Sequence, residues 1–190
     1  MDELPRRSPL YSYGNQVDSA RIEGNGVLLL EKPFTGLVRV QLSHVAAPEA
    51  EEQLAGVIGC ELPQGPESVS IGEVTVIWQS LRDWLIVTHP GDEDALSYRL
   101  EESGAVVNVV TDAKVDLRLE GRHARDLLAV GCGIDLHPSA FQNGSVVSTL
   151  IGKVRVLLRK TETRNQFQIL VDRSYAAFLW DWMSKVSQEF

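Results

Sequence analysis

The sequence predicts an α+β fold of two subdomains, each a β-α-β-β-α-β unit of the ferredoxin-like type with an antiparallel sheet. Two observations predict it. Segments of period-two hydrophobicity alternate with short segments of helical spacing, and that order recurs along the chain. The composition is that of an ordinary globular protein, 44% apolar and 23% charged over 190 residues, long enough for one substantial core or two small ones.

Residues 1–18 read as an extended N-terminal arm. Pro5 and Pro9, two tyrosines and a glycine break any period there. The first subdomain is expected over 19–111. Val27 to Glu31 is an apolar run. From Leu37 to Ser43, Val38, Val40 and Leu42 alternate with Arg39 and Gln41, the mark of a half-buried strand. Pro48 to Ile58 reads as a helix. Proline suits its first turn, Glu49, Glu51 and Glu52 favour its N-terminal end, and Leu54, Val57 and Ile58 form a stripe. Val69 to Trp78 and Trp84 to Thr88 form a strand pair. Asp92 is a candidate cap for a helix carrying Leu96 and Leu100 and closed by Gly104, and Ala105 to Val110 is the next strand.

The second subdomain is expected over 112–190. Val115, Leu117 and Leu119 alternate with Asp116, Arg118 and Glu120; Gly121 then turns the chain into a helix that buries Ala124, Leu127 and Leu128. Strands follow at 146–151, 154–160 and 167–171, with Thr161 to Asn165 as a turn. A last helix starts near Asp172 or Ser174. Its apolar stripe is Tyr175, Phe178, Leu179, Trp182, Met183 and Val186.

The charge balance excludes several roles. A formal net charge of −8 repels a phosphate backbone, and no basic stripe offsets it. No run reaches the roughly 18 apolar residues of a membrane span. Arg6-Arg7 is followed by no apolar stretch and so makes no export signal, which sets the expectation of a cytoplasmic protein. Cys60 and Cys132 form no CxxC pair and read as small buried apolar residues. Asn143-Gly144-Ser145 reads as a tight turn.

Catalytic motifs are absent. No GxGxxG joins a strand to a helix, and Gly24-Asn25-Gly26 leads into a strand instead. Neither a P-loop nor a GxSxG elbow occurs. No two of His44, His89, His123 and His137 have metal-ligand spacing. No catalytic, cofactor-binding or metal-binding residue is therefore expected in this chain.

The densest cluster of special residues runs from Gly131 to Phe141. Asp135 and His137 there could form a proton-moving pair. Alternatively, Asp135 accepts backbone hydrogens while Leu136 and Phe141 plug the core. Trp84 and Trp180 stand off the apolar patterns of their elements, as anchors for a partner protein do and as indoles partly buried under a loop also do. Trp84, His137, Phe141, Arg173 and Trp180 are the candidate partner contacts.

Several segments carry a family resemblance. Leu117-Arg118-Leu119-Glu120-Gly121 leads into Ala124 to Ala129, Gly131-Cys132 and the Asp135-Leu136-His137-Pro138 segment that ends at Phe141. Thr149 to Val154, Val156 to Leu158, Phe167 and Val171 to Ala176 follow, then Leu179-Trp180 and Trp182. Together they resemble the gamma subunits of heterotetrameric sarcosine oxidases, strongly over about residues 115–183. Leu81-Arg82-Asp83-Trp84-Leu85 resembles a family segment with two positions fewer.

The resemblance implies a fold like the folate-binding domain of aminomethyltransferases. It also implies alpha, beta and delta partner subunits. FAD, FMN, NAD and tetrahydrofolate would sit in the alpha and beta subunits of an enzyme that oxidatively demethylates sarcosine to glycine. The gamma chain itself would catalyse nothing. Two rival readings are a gamma-type subunit of a related N-methyl amino acid dehydrogenase and a stand-alone domain binding a folate-like small molecule.

Overall fold

The computed structural model describes residues 6–14, 20–43, 45 and 49–190. The rest of the predicted arm, Pro48 and His44 lie outside the described residues. The chain divides into two compact units. One comprises Phe34–Ala113 with Gly144–Val147; the other comprises the described residues up to Pro33, Lys114–Asn143 and Ser148–Phe190.

Two hairpin strands open the chain, β1 (Arg21–Gly24) and β2 (Val27–Lys32). The first of the two units then runs β3 (Gly36–Gln41), α1 (Glu49–Ile58), β4 (Val69–Ile71), β5 (Thr75–Ser80), β6 (Asp83–Thr88), α2 (Glu93–Glu101) and β7 (Val106–Val109). Its sheet has the order β4-β5-β6-β3-β7, with antiparallel neighbours throughout. Without the edge hairpin strand β4, that is the strand order of a ferredoxin-like unit. Val38, Val40, Val76, Trp84 and Ile86 from the strands close a core with Leu54 and Ile58 of α1 and Leu96 and Leu100 of α2. Asp92 stands at the N-cap of α2, but its side chain makes no capping bond. The Glu93 carboxylate instead accepts the Gly91 N–H at 2.7 Å. Gly104 ends the turn after α2 with φ +76°, a conformation that costs glycine little.

The other unit carries β8 (Lys114–Glu120), α3 (Ala124–Gly131), β9 (Val146–Ile151, whose first two residues group with the first unit), β10 (Val154–Lys160), β11 (Gln166–Asp172) and α4 (Ala176–Val186). Its six-stranded sheet has the order β1-β2-β8-β11-β10-β9. Strand β2 pairs antiparallel with β8, Leu29 opposite Leu119. It occupies the place that a strand after α4 would take in a ferredoxin-like unit. This corrects the expected domain boundaries: the hairpin Arg21–Lys32 belongs with residues after 113, and the unit of contiguous strands begins at Phe34.

Two further expectations are corrected, and the alternation of β8 takes an unexpected form. Part of the arm is not extended, for Tyr11–Tyr13 forms a 3-10 turn and Leu10 is fully buried. The polar residues of β8 do not all face water: Asp116 is buried and accepts hydrogen bonds from Arg118 Nη2 and Gln168 Nε2, both at 2.9 Å. Finally, α4 is rotated from its expected face. It buries Ala176, Leu179, Trp180, Met183 and Val186, while Tyr175 and Phe178 are each 54% exposed.

Candidate partner interface

The segment after α3 is organised by its own backbone. Cys132 is buried and bridges antiparallel to Ile151, and the Gly152 N–H donates to Gly131 O at 3.2 Å. Trp182 lies against this crossing. A Cβ added to Gly131 would meet its Cη2 at 2.5 Å, and one added to Gly152 would meet its Cδ2 at 2.9 Å. Both positions therefore need glycine, for lack of room.

Asp135 Oδ1 accepts the backbone N–H of His137 at 2.8 Å, closing an Asx-type turn. The imidazole Nδ1 pairs with Ser139 Oγ at 2.7 Å instead of with Asp135. Amides of Ala140 and Phe141 both donate to His137 O, at 2.9 and 2.8 Å. Leu136 and Phe141 are buried, and the Phe141 ring lies parallel to Phe167 with centroids 6.5 Å apart. The Asp135–His137 proton pair is thus replaced by a turn that plugs the core and leaves the imidazole exposed.

Phe167 also receives two cations. The Arg125 guanidinium stands 5.2 Å from its centroid and Lys160 Nζ 5.5 Å, within the range of a cation–π attraction. Burial pushes both cations below their usual pKa, and Arg125 depresses Lys160 further. The ammonium is held by the carbonyls of Thr161 and Thr163 at 2.8 and 2.7 Å.

The five candidate contacts fall in two classes. Trp84 is 1% exposed, with its indole N–H donating to Pro63 O at 2.9 Å, and Trp180 is 2% exposed. Of the two readings of these indoles, burial is the one the structure shows, and each one's apolar area is spent inside its own unit. Phe141 is buried as well. His137 and Arg173 are exposed. Arg173 Nη2 donates to Arg7 O at 3.0 Å, Tyr13 Oη donates to Asp181 Oδ2 at 3.2 Å, and the Tyr13 ring tilts onto Trp180 at 6.3 Å. Beneath them Ser8 Oγ bonds to buried Glu31. Sequence reasoning missed the exposed aromatic pair Tyr175 and Phe178. A second stripe at Ala176, Leu179, Trp180 and Met183 would have signalled it.

Among the described residues no group of three His, Cys, Asp or Glu side chains could hold a metal ion. An open groove of about 720 Å³ in the five-stranded unit is lined by Glu73, Thr88, His89, Asp92, Tyr98 and Arg99 among others. No described helix is long and apolar enough to cross a membrane.

Comparison with known families agrees with the residue pattern. The model of the family described as "Sarcosine oxidase, gamma subunit family" matches residues 43–189. The chain belongs to that family. Within the family, the gamma subunit of sarcosine oxidase from Corynebacterium sp. (strain P-1) is 28% identical over 190 residues, covering 97% of this chain and 91% of that subunit. The Arthrobacter sp. gamma subunit is 28% identical over 166 residues, 82% of this chain and 77% of its own. Among solved structures, a chain of the heterotetrameric sarcosine oxidase of Corynebacterium sp. U-96 superposes with a TM-score of 0.80 at 23% identity, covering 97% of this chain and 96% of that one. Aminomethyltransferase T of the Bartonella henselae glycine cleavage system gives 0.60 at 17% identity, over 83% of this chain and 45% of that one. The two share the fold of this family member, as the expected aminomethyltransferase-like architecture requires.

Proposed function

We propose that this chain is the non-catalytic gamma subunit of a heterotetrameric sarcosine oxidase. In this reading it supports assembly of the subunits that oxidatively demethylate sarcosine to glycine. The observation that carries the reading is a likeness to sarcosine oxidase gamma subunits that runs nearly end to end, over 97% of this chain. The partners are alpha, beta and delta subunits. FAD, FMN, NAD and tetrahydrofolate belong to those partners. The complex works in the cytoplasm.

The reading fits the chemistry of the Gly131–Phe141 segment, where the one Asp–His pair of interest is consumed in holding a turn. His137, Arg173, Tyr175 and Phe178 are the side chains offered to a partner. Phe141 and Trp180 hold the elements behind those side chains and Trp84 holds the sheet of its own unit, so each acts on partner contact only through the element it supports. Exposed aromatics beside an arginine are the residue types that dominate interface energetics.

The test is affinity capture of the tagged chain from its native cytoplasm. The captured fraction should show flavin absorbance and release peroxide when sarcosine is added. A chain captured alone and colourless from cells that express the oxidase would overturn the reading.

A further inference from the structure

Proteins protect the free edges of their sheets, because an unpaired edge recruits other strands. Three of the four sheet edges here are managed. Strand β1 carries Arg21 and Glu23, paired at 2.6 Å, and ends on Gly24. Strand β9 is bridged by Cys132 at Ile151. Strand β4 has three residues only and runs into Gly72. Strand β7 has none of these devices. It reads Val-Val-Asn-Val, without charge or proline, between Ala105 and Val110. Val106 is 57% exposed and Val109 43%.

The backbone phase of β7 shows what the edge offers. Val110 N–H donates to Leu37 O at 2.8 Å. The register sets Asn108 opposite Arg39 and Val106 opposite Gln41. In an antiparallel ladder, alternate residues turn their amide and carbonyl to the same neighbour. Residues 106, 108 and 110 therefore face β3, and the N–H and C=O of Val107 and Val109 face outward. Among the described residues no strand lies beyond β7. Two donors and two acceptors at a two-residue spacing match one extended segment.

We propose that the outer edge of β7 is a strand-addition site, filled in the assembled oxidase by an extended segment of a partner subunit that carries lysine or arginine. The proposal rests on the subunit reading above. Charge decides against a second copy of this chain. Helix α2 lies over β7 and ends in exposed Glu101 and Glu102. Pairing β7 with a second copy would bring together two chains that each carry a net charge of −8. A basic segment meets the same flank with attraction.

The experiment is hydrogen exchange on the isolated chain and on the captured complex, read at the Val107 and Val109 amides with the Asn108 amide as internal reference. In the complex the two outward amides should slow by about tenfold or more, the mark of new hydrogen bonds. The Asn108 amide, already facing β3, should change little. Val107→Pro removes an outward donor and leaves the bonds to β3. With its circular dichroism unchanged it should retain about a tenth of the partner chains. If Val107→Pro does not fold, the exchange result on the unaltered chain decides alone. A flavin-containing complex in which both amides exchange as in the free chain overturns the strand-addition site and leaves the subunit reading standing. Protection that appears in the isolated chain, rising with its concentration, assigns the edge to a second copy and also overturns the proposal. Capture of the chain alone overturns both readings together.

Discussion

The two sheets close around their first strands in different ways. Beside β3 stands β7, delivered by the same contiguous stretch of chain. Beside β8, in the equivalent place, stands β2, which comes from the far N-terminal side of the sequence. Local closure needs only a helix and a turn. Non-local closure needs two distant backbones to meet, and they meet at glycines. A Cβ on Gly121 would stand 2.2 Å from Gly26 O, and the His123 N–H donates to that same oxygen at 3.2 Å. The six-stranded sheet therefore closes through a tight glycine crossing between distant segments, whereas the five-stranded one closes within a contiguous stretch.

That contrast can be broken by substitution. Gly121→Ala adds the clash to a φ of +119°. It should cost about 4 kcal/mol or more and leave little folded protein. Loss of the circular dichroism signal at room temperature is the expected readout. Trp84→Phe strips the Pro63 carbonyl of its buried donor and removes apolar area from the five-stranded core. About 2 kcal/mol should be lost in urea unfolding. Gly104→Ala is the counterpart of the first change. Its φ is +76°, but nothing stands within 4 Å of the added Cβ. It should cost roughly 1 kcal/mol by the same urea measurement. Equal losses for the two glycine variants would refute the difference between the closures.

The smallest effect concerns pH. Burial pushes the Glu31 carboxyl above its usual 4.5, against the opposing influence of Ser8 and Arg173. The folded state thus holds the proton more tightly than the unfolded one. Stability from this group is full below 4.5 and falls as pH rises through the raised value. Glu31→Gln should remove that slope. Its melting temperature should match the parent near pH 4 and exceed it near pH 8, by a stability difference of roughly 1 kcal/mol or less.

Alternation marked β3, and short apolar runs marked β6 and β7, but β4 and β5 read as one strand because Gly72 passed for a strand residue. Alternation could not say which sheet would take Val27–Lys32, since pairing across the chain leaves no local mark. The face of α4 was ambiguous for another reason. Its sequence carries two overlapping apolar stripes, and the 3-10 turn Arg173–Tyr175 sets which one faces inward. At the candidate interface, the Asp135 turn followed from residue type, and His137 and Arg173 are exposed as partner contact requires. The burial of Trp84 and Trp180 was not legible, because it depends on what packs over them. Buried Asp116 and Gln168 escaped notice because alternation alone reads any polar residue as solvent-facing.

The most direct test of the central claim is native mass spectrometry of the oxidase captured through this chain. The account predicts a single assembly of four different chains, containing one copy of this one, with flavin retained in the assembly. A mass equal to this chain alone, or to a multiple of it without flavin, would contradict it.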